Sequence, residues 1–158
     1  MVMSASSCTK IEAVLSKFPA DQRQSALISA LMIVQTENNG YLTTELMDAV
    51  ADYLQIPKIA AYEVASFYSM YEHKPVGKYK ISLCTNISCM LCGAEDLEGY
   101  LKEKLNIDYG QVTQDGKFSL KQVECLAACG GAPMMQIGDQ YYTNLTREKI
   151  DLILAELE

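Results

Sequence analysis

Four cysteines lie in two pairs far apart along the chain, Cys84 with Cys89 and Cys125 with Cys129. Residues 85–88 separate the first pair, residues 126–128 the second, and residues 90–124 the two pairs from each other. A fold that brings both pairs together offers four thiolates to one small site, the ligand set of an iron–sulfur cluster or a structural zinc ion.

Composition narrows the setting in which those thiols work. The 158 residues suffice for one ordinary domain, or for a compact domain with a helical extension. With 49% hydrophobic and 21% charged residues the chain reads as globular, with no case for bulk disorder. Its longest apolar stretch, residues 26–34, is interrupted by Ser29 and is too short to cross a bilayer. Residues 1–10 lack the basic and apolar regions of a secretory signal, so a cytosolic setting is expected. Thiols stay reduced there, and a core of this size needs no staples, so the six cysteines point to metal or redox use rather than disulfides. The formal charge of −7, with no basic stripe, speaks against a nucleic-acid partner. That acidity serves solubility or docking.

The first half reads as helical. Residues 21–35 return Leu27, Ile28, Leu31, Met32 and Val34 to one face, and Asn38-Asn39-Gly40 stops that helix. Thr43 or Thr44 caps a second, with the stripe Leu46, Met47, Val50, Ala51 and Leu54. Pro57 suits the first turn of a third, carrying Ala60, Val64, Phe67, Tyr68 and Tyr71. From Lys78 the period changes to two: residues 78–83 predict a half-buried strand running into Cys84. Residues 90–105 return to helical spacing with Leu97, Leu101 and Leu105. Asp115-Gly116 then turns into a second alternating strand, residues 118–123, which runs into Cys125. A hairpin is expected around Gly138-Asp139-Gln140, and a final helix from the cap Thr146 to Leu157. The order strand–helix–strand–strand–strand–helix predicts a small α/β or α+β sheet domain.

Each cysteine pair therefore lies where a strand ends and the chain turns, so both can share one edge of the sheet. An oxidised [2Fe–2S] core with four thiolates carries a charge of about −2, and one electron takes it to about −3. Such a site needs N–H donors aimed at its sulfurs, which irregular backbone supplies. Gly130 and Gly131 permit close backbone approach after Cys129, and a helix starting near Met90 would aim its positive end at the first pair. Spacing alone keeps zinc in contest. It also lets Cys92 compete, because Cys84-x4-Cys89-x2-Cys92 matches plant-type ferredoxin spacing and Cys89-x-x-Cys92 reads as a redox motif. Against the first stands the pair Cys125 and Cys129, left with one role between them, and Cys92 is expected to pack as a small hydrophobe. Cys8, in a polar terminus, reads as an incidental thiol.

Two successions of residues carry a resemblance. One runs Val64-Ala65-Ser66-Phe67-Tyr68-Ser69-Met70-Tyr71, then Pro75-Val76-Gly77-Lys78-Tyr79, then Cys84-x4-Cys89-x-Leu91-x-Gly93; the other is Glu124-Cys125-Leu126-x-Ala128-Cys129 followed by Ala132-Pro133. From about Ala13 to the C-terminus the chain resembles the thioredoxin-like [2Fe–2S] ferredoxin family, in the form of the E subunit of bacterial NADH-quinone oxidoreductase (respiratory complex I). The resemblance implies an N-terminal helical bundle, residues 1–75, followed by a thioredoxin-like domain, residues 76–158, with a small mixed sheet flanked by helices. It implies one [2Fe–2S] cluster on Cys84, Cys89, Cys125 and Cys129, with no catalytic residue in this chain. FMN and NAD would be bound by a partner, the flavin- and NADH-binding subunit, beside further peripheral-arm subunits. The expected location is cytoplasmic, in the peripheral arm of a membrane-attached complex and on its cytoplasmic side, without membrane insertion. Cys92 departs from the family pattern, as does Ala127, where glycine is common.

What the chain lacks agrees with an electron carrier. No Gly-x-Gly-x-x-Gly follows a strand, and no Ser–His–Asp or paired-carboxylate arrangement stands out. His73 reads as a surface residue, and Tyr62, Phe67, Tyr68 and Tyr71 as core and domain-junction packing. Exposed apolar residues near the cysteines are candidates for partner contact: Met90, Leu91, Met134 and Met135, at least half of them expected in the core. Three alternatives accompany the main reading. One is the equivalent diaphorase subunit of an NAD-linked hydrogenase or formate dehydrogenase. The others are a thiol–disulfide oxidoreductase using Cys89 and Cys92, and a zinc-stapled scaffold module.

Overall fold

The computed structural model describes residues 3–157; the first two residues and the last, inside the expected bounds 1–75 and 76–158, lie outside the described residues. The chain divides into two compact units, one ending at Pro75 and one beginning at Val76.

The first unit is helical: α1 (Ala5–Leu15), α2 (Leu27–Glu37), α3 (Thr44–Leu54) and α4 (Lys58–Phe67), with a 3-10 turn over Arg23–Ala26. Thr43 caps α3, its hydroxyl accepting from the Leu46 N–H, and the predicted stripe Leu46, Met47, Val50, Ala51 and Leu54 is the buried one. Arg23 closes the other end of α3 by donating to the carbonyls of Tyr53 and Leu54, where orphan acceptors and a negative dipole end favour a cation. The buried Gln35 is satisfied at both ends. Its amide donates to Met70 O at 3.2 Å and accepts from Glu72 N–H at 2.8 Å, fastening the segment after α4 to α2.

Two expectations fail in this unit. Helix α1 escaped the periodicity reading because Ser7 shares its buried stripe with Ile11 and Leu15, which weakens the apolar signal. Cys8, expected as an incidental thiol in a polar terminus, lies on that helix, partly buried against the core. The aromatic stripe of α4 also dissolves. The helix ends at Phe67, Tyr68 turns to extended backbone, and the buried face is Ala60, Ala61 and Ala65. Phe67 is 80% exposed, whereas Tyr71, beyond the helix, is buried with its hydroxyl donating to Ile28 O.

Glu37 ties the two ends of this unit's first hairpin together. Its carboxylate accepts from Lys10 at 2.8 Å and from the hydroxyls of Ser4, Ser6 and Ser7, all at the start of α1. Those donors, Lys10 first, hold its pKa down from 4.5 to about 2. A depressed folded-state pKa stabilises above the unfolded value and is lost as pH falls through the folded one. Glu37→Gln is therefore expected to lower the thermal midpoint at pH 7. The gap from wild type should close as pH drops from 4.5 towards 2, as read by circular dichroism.

The second unit runs β1 (Tyr79–Cys84), α5 (Ile87–Leu91), α6 (Ala94–Leu105), β2 (Phe118–Val123), β3 (Met135–Ile137), β4 (Gln140–Tyr142) and α7 (Arg147–Glu156). The strands form one mixed sheet in the order β2-β1-β3-β4. β1 and β2 are parallel, in register from Tyr79 opposite Phe118 to Cys84 opposite Val123, and the remaining pairs are antiparallel. Because β1 is an inner strand, it is covered from Ile81 through Cys84, Ser82 included, instead of alternating as the sequence predicts. Leu101 of α6 and Ile150 of α7 share a core with Ile81, Leu83, Leu120 and Met135. Tyr100 and Lys104 on α6 both reach Asp151 on α7. The single helix expected over residues 90–105 is two. It begins earlier, at Ile87, and breaks at Cys92 and Gly93, where Gly93 adopts φ +90°.

Gly77 lets β1 enter the sheet. A Cβ there would sit 2.4 Å from the Phe118 carbonyl carbon and 2.7 Å from the Ser119 nitrogen, both backbone and unable to yield. Gly77→Ala is expected to destabilise the chain by about 1–3 kcal/mol, the usual range for overpacking, measured by chemical denaturation.

Candidate metal centre

Neighbouring parallel strands end at the same edge of a sheet, so the register of β1 on β2 carries both cysteine pairs to one place. Cys84 is the last residue of β1, and Cys125 follows β2 by two positions. Cys89 lies within α5 and Cys129 opens a 3-10 turn, Cys129–Gly131. Backbone bonds fix the seam: Thr85 N–H donates to Val123 O at 3.1 Å and Cys84 N–H to Met134 O at 3.2 Å. The floor of the site is a small apolar cluster of Cys84, Cys89, Ala94 and Met134, with Val123, Leu126, Ala128 and Ala132 packed around it.

The two pairs differ in kind. Cys84 and Cys89 are 3% and 1% exposed, whereas Cys125 and Cys129 face solvent. Burial pushes the Cys89 thiol up to about 11. The neighbouring Cys84 thiol adds to that rise, with a smaller contribution from Cys129, and the Met134 N–H opposes it. The nucleophile of a thioredoxin-type dithiol needs the opposite, a lowered pKa and access, so Cys89 is unsuited to it. Cys92, expected to pack inside, is exposed at the end of α5.

The donor set fits an anionic cluster. Ala127 N–H points at Cys125 Sγ at 3.3 Å and Met134 N–H at Cys89, supplying donors to a sulfur of each pair. Ala127 reaches that position at φ +57°, a conformation that favours glycine. Among the described residues no three side chains of His, Cys, Asp or Glu converge closely enough to hold one metal ion. The helix dipole expected from residue 90 is not part of the arrangement, since Cys89 lies inside the five-residue α5.

Of the other residues singled out from sequence, Met134 and Met135 are buried and belong to the floor and the sheet core, while Met90 is 43% and Leu91 78% exposed. Ile87, 66% exposed on the same short helix, joins them and was missed, although its place between Cys84 and Cys89 could have flagged it. His73 is exposed, as expected, with Nε2 3.0 Å from Ala65 O. Gly131 makes a close approach, to Thr143, while Gly130 has nothing within 4 Å of where a Cβ would stand.

The chain is similar to known proteins along nearly its whole length. It is 44% identical over 146 residues to the E subunit of NADH-quinone oxidoreductase from Rickettsia bellii, covering 92% of this chain and 87% of the relative. It is 43% identical over 145 residues to the second E subunit of NADH-quinone oxidoreductase from Rhizobium meliloti, covering 92% and 84%. In fold it is similar to a chain of an NAD+-reducing [NiFe]-hydrogenase in the air-oxidized state, with a TM-score of 0.72 at 20% identity over 89% of this chain. This chain spans only 24% of the hydrogenase chain. Residues 11–158 match the thioredoxin-like [2Fe–2S] ferredoxin family, to which this chain belongs.

Proposed function

We propose that the protein is the electron-transferring E subunit of an NADH-quinone oxidoreductase, holding one [2Fe–2S] cluster on Cys84, Cys89, Cys125 and Cys129. The observation that carries this reading is the convergence of both cysteine pairs at the C-terminal ends of β1 and β2, in a chain of this family. When bound, the cluster supplies one-electron chemistry. The residues of this chain do the rest. Cys84 and Cys89 anchor one side from a strand and a helix, and the apolar floor keeps water from that side. The Ala127 and Met134 N–H groups offset negative charge on the sulfurs. Burial of two thiolates and the chain's −7 charge make added negative charge costly and push the reduction potential down.

The partner in this reading is the flavin- and NADH-binding subunit, with further peripheral-arm subunits beyond it. Ile87, Met90 and Leu91 on α5, an exposed apolar strip next to Cys89, suit that contact. Residues 1–75 and 76–158 act as a helical domain and a cluster-bearing domain. In this reading the chain sits in the peripheral arm on the cytoplasmic side; among the described residues no helix is long and apolar enough to cross a membrane. The diaphorase of an NAD-linked hydrogenase is the second reading; the fold likeness favours it, but at lower identity than the quinone oxidoreductase relatives.

Anaerobic purification, dithionite reduction and EPR test the proposal. The reduced protein is expected to give an axial or rhombic [2Fe–2S] signal, abolished or grossly altered in Cys125→Ser and nearly intact in Cys92→Ser. A colourless protein without a signal after reconstitution would sink the cluster, and loss of the signal in Cys92→Ser would sink the ligand assignment.

A further inference from the structure

The first cysteine pair is held by regular structure and burial, but the second is exposed on irregular chain, and something else must fix it. The backbone after Cys129 bonds to itself only locally, Gly131 N–H to Ala128 O at 3.0 Å and Ala132 N–H to Cys129 O at 3.2 Å. The carbonyls of Gly131 and Pro133 are bonded to the segment between β4 and α7, while the next residue, Met134, accepts from Cys84 N–H of β1. Asn144 N–H donates to Gly131 O at 2.7 Å, and Leu145 N–H to Pro133 O at 3.0 Å. The two segments also touch side chain to backbone: a Cβ on Gly131 would stand 2.6 Å from Thr143 Cβ and 2.7 Å from Thr143 Cγ2. Thr143 is β-branched, and no rotamer moves its Cβ away.

That segment is itself anchored. Leu145 is 4% exposed within the sheet core, Thr146 caps α7 by accepting from Lys149 N–H, and Lys149 Nζ donates back to Thr143 O. Asn144 holds φ +49°, in the left-handed region that asparagine tolerates better than most residues. A continuous path therefore runs from α7 through residues 143–145 to Gly131 and on to Cys129.

We propose that Gly131 and Thr143 form a positioning contact for the cluster, a glycine seat that sets where Cys129 presents its sulfur. This rests on the reading of Cys129 as a ligand. Gly131→Ala would push the loop off its shelf and displace Cys129. Thr143→Gly in the same chain removes the obstructing Cβ and should let the loop return.

The test uses the full chain with its cluster, and reads the EPR spectrum, the midpoint potential and the rate of iron loss to a chelator. Displacing a group that orients a ligand typically weakens a metal site about 10–100-fold. Gly131→Ala is expected to speed iron loss on that scale and to shift both g-values and potential. Adding Thr143→Gly should move all three back towards wild type, a recovery that generic destabilisation would not give. Wild-type values in Gly131→Ala, or a double variant no better than the single, would overturn the proposal. Should Gly131→Ala not fold, Asn144→Gly decides: it keeps the N–H donor, relaxes the connector and should raise chelator sensitivity, and an unchanged rate would overturn the proposal. Cys129→Ser separates the two layers. A wild-type spectrum there removes the ligand reading itself, whereas a lost signal beside an unaffected Gly131→Ala removes only the positioning contact.

Discussion

The parallel pairing of β1 with β2 is the constraint on which the site depends. Its register runs from Tyr79 and Phe118 to Cys84 and Val123, so both strands finish level and each hands a cysteine to the same edge. An antiparallel pairing would have sent the two pairs to opposite edges. Parallel strands require a long crossover, and residues 85–117 provide it through α5 and α6, with Leu97 and Leu101 in the core of the unit. Gly77 is the other half of this constraint, since only a residue without Cβ can pass the Phe118 backbone where the pairing begins. Ligand sites at the carboxyl ends of parallel strands recur for the same geometric reason.

Burial then sets a conflict that a metal centre on these cysteines would resolve. A thiolate in the apolar pocket beside Met134 and Ala94 is costly on its own, and the raised pKa of Cys89 expresses that cost. In the proposed reading, Cys89 bound to cationic iron would lose its proton and gain the missing counter-charge, so the pocket would favour the thiolate only with its ligand present. The donors at Ala127 and Met134 are the fixed part of that compensation. The same conflict makes Cys89 a poor nucleophile, which separates this site from the dithiol chemistry that a Cys-x-x-Cys spacing suggests.

Much of this was legible from local pattern. Period-two residues located β1 and β2, side-chain caps at Thr43 and Thr146 located α3 and α7, and the strand-end position of each pair foretold a shared edge. What local pattern lacks is information about neighbours. β1 alternates in sequence yet is covered from Ile81 onward, because its place between β2 and β3 is decided elsewhere. The break before α6 hangs on one residue, Gly93, inside an otherwise continuous helical spacing. Phe67 continues an apolar stripe in sequence, yet as the last residue of α4 it faces solvent while Ala60, Ala61 and Ala65 form the buried face. Within the site, the contrast between a buried and an exposed pair could not be read from spacing that is nearly the same in both, and the contact of Gly131 with Thr143 exists only once β3 and β4 fold back.

The division of labour between the pairs follows from these facts. Sheet and helix hold Cys84 and Cys89 at the cost of burying two ionisable groups, and that cost limits how many ligands a small unit can fix in this way. Leaving Cys125 and Cys129 at the surface avoids a second desolvation penalty but forfeits the rigidity that burial brings. Backbone bonds from residues 144 and 145, and the proposed glycine seat against Thr143, would restore order around Cys129 without burying more charge. In the proposed reading, two of the four ligands, Cys84 and Cys89, are fixed by burial and Cys129 by backbone geometry, and at Cys129 a single methyl group would decide the shape of the site.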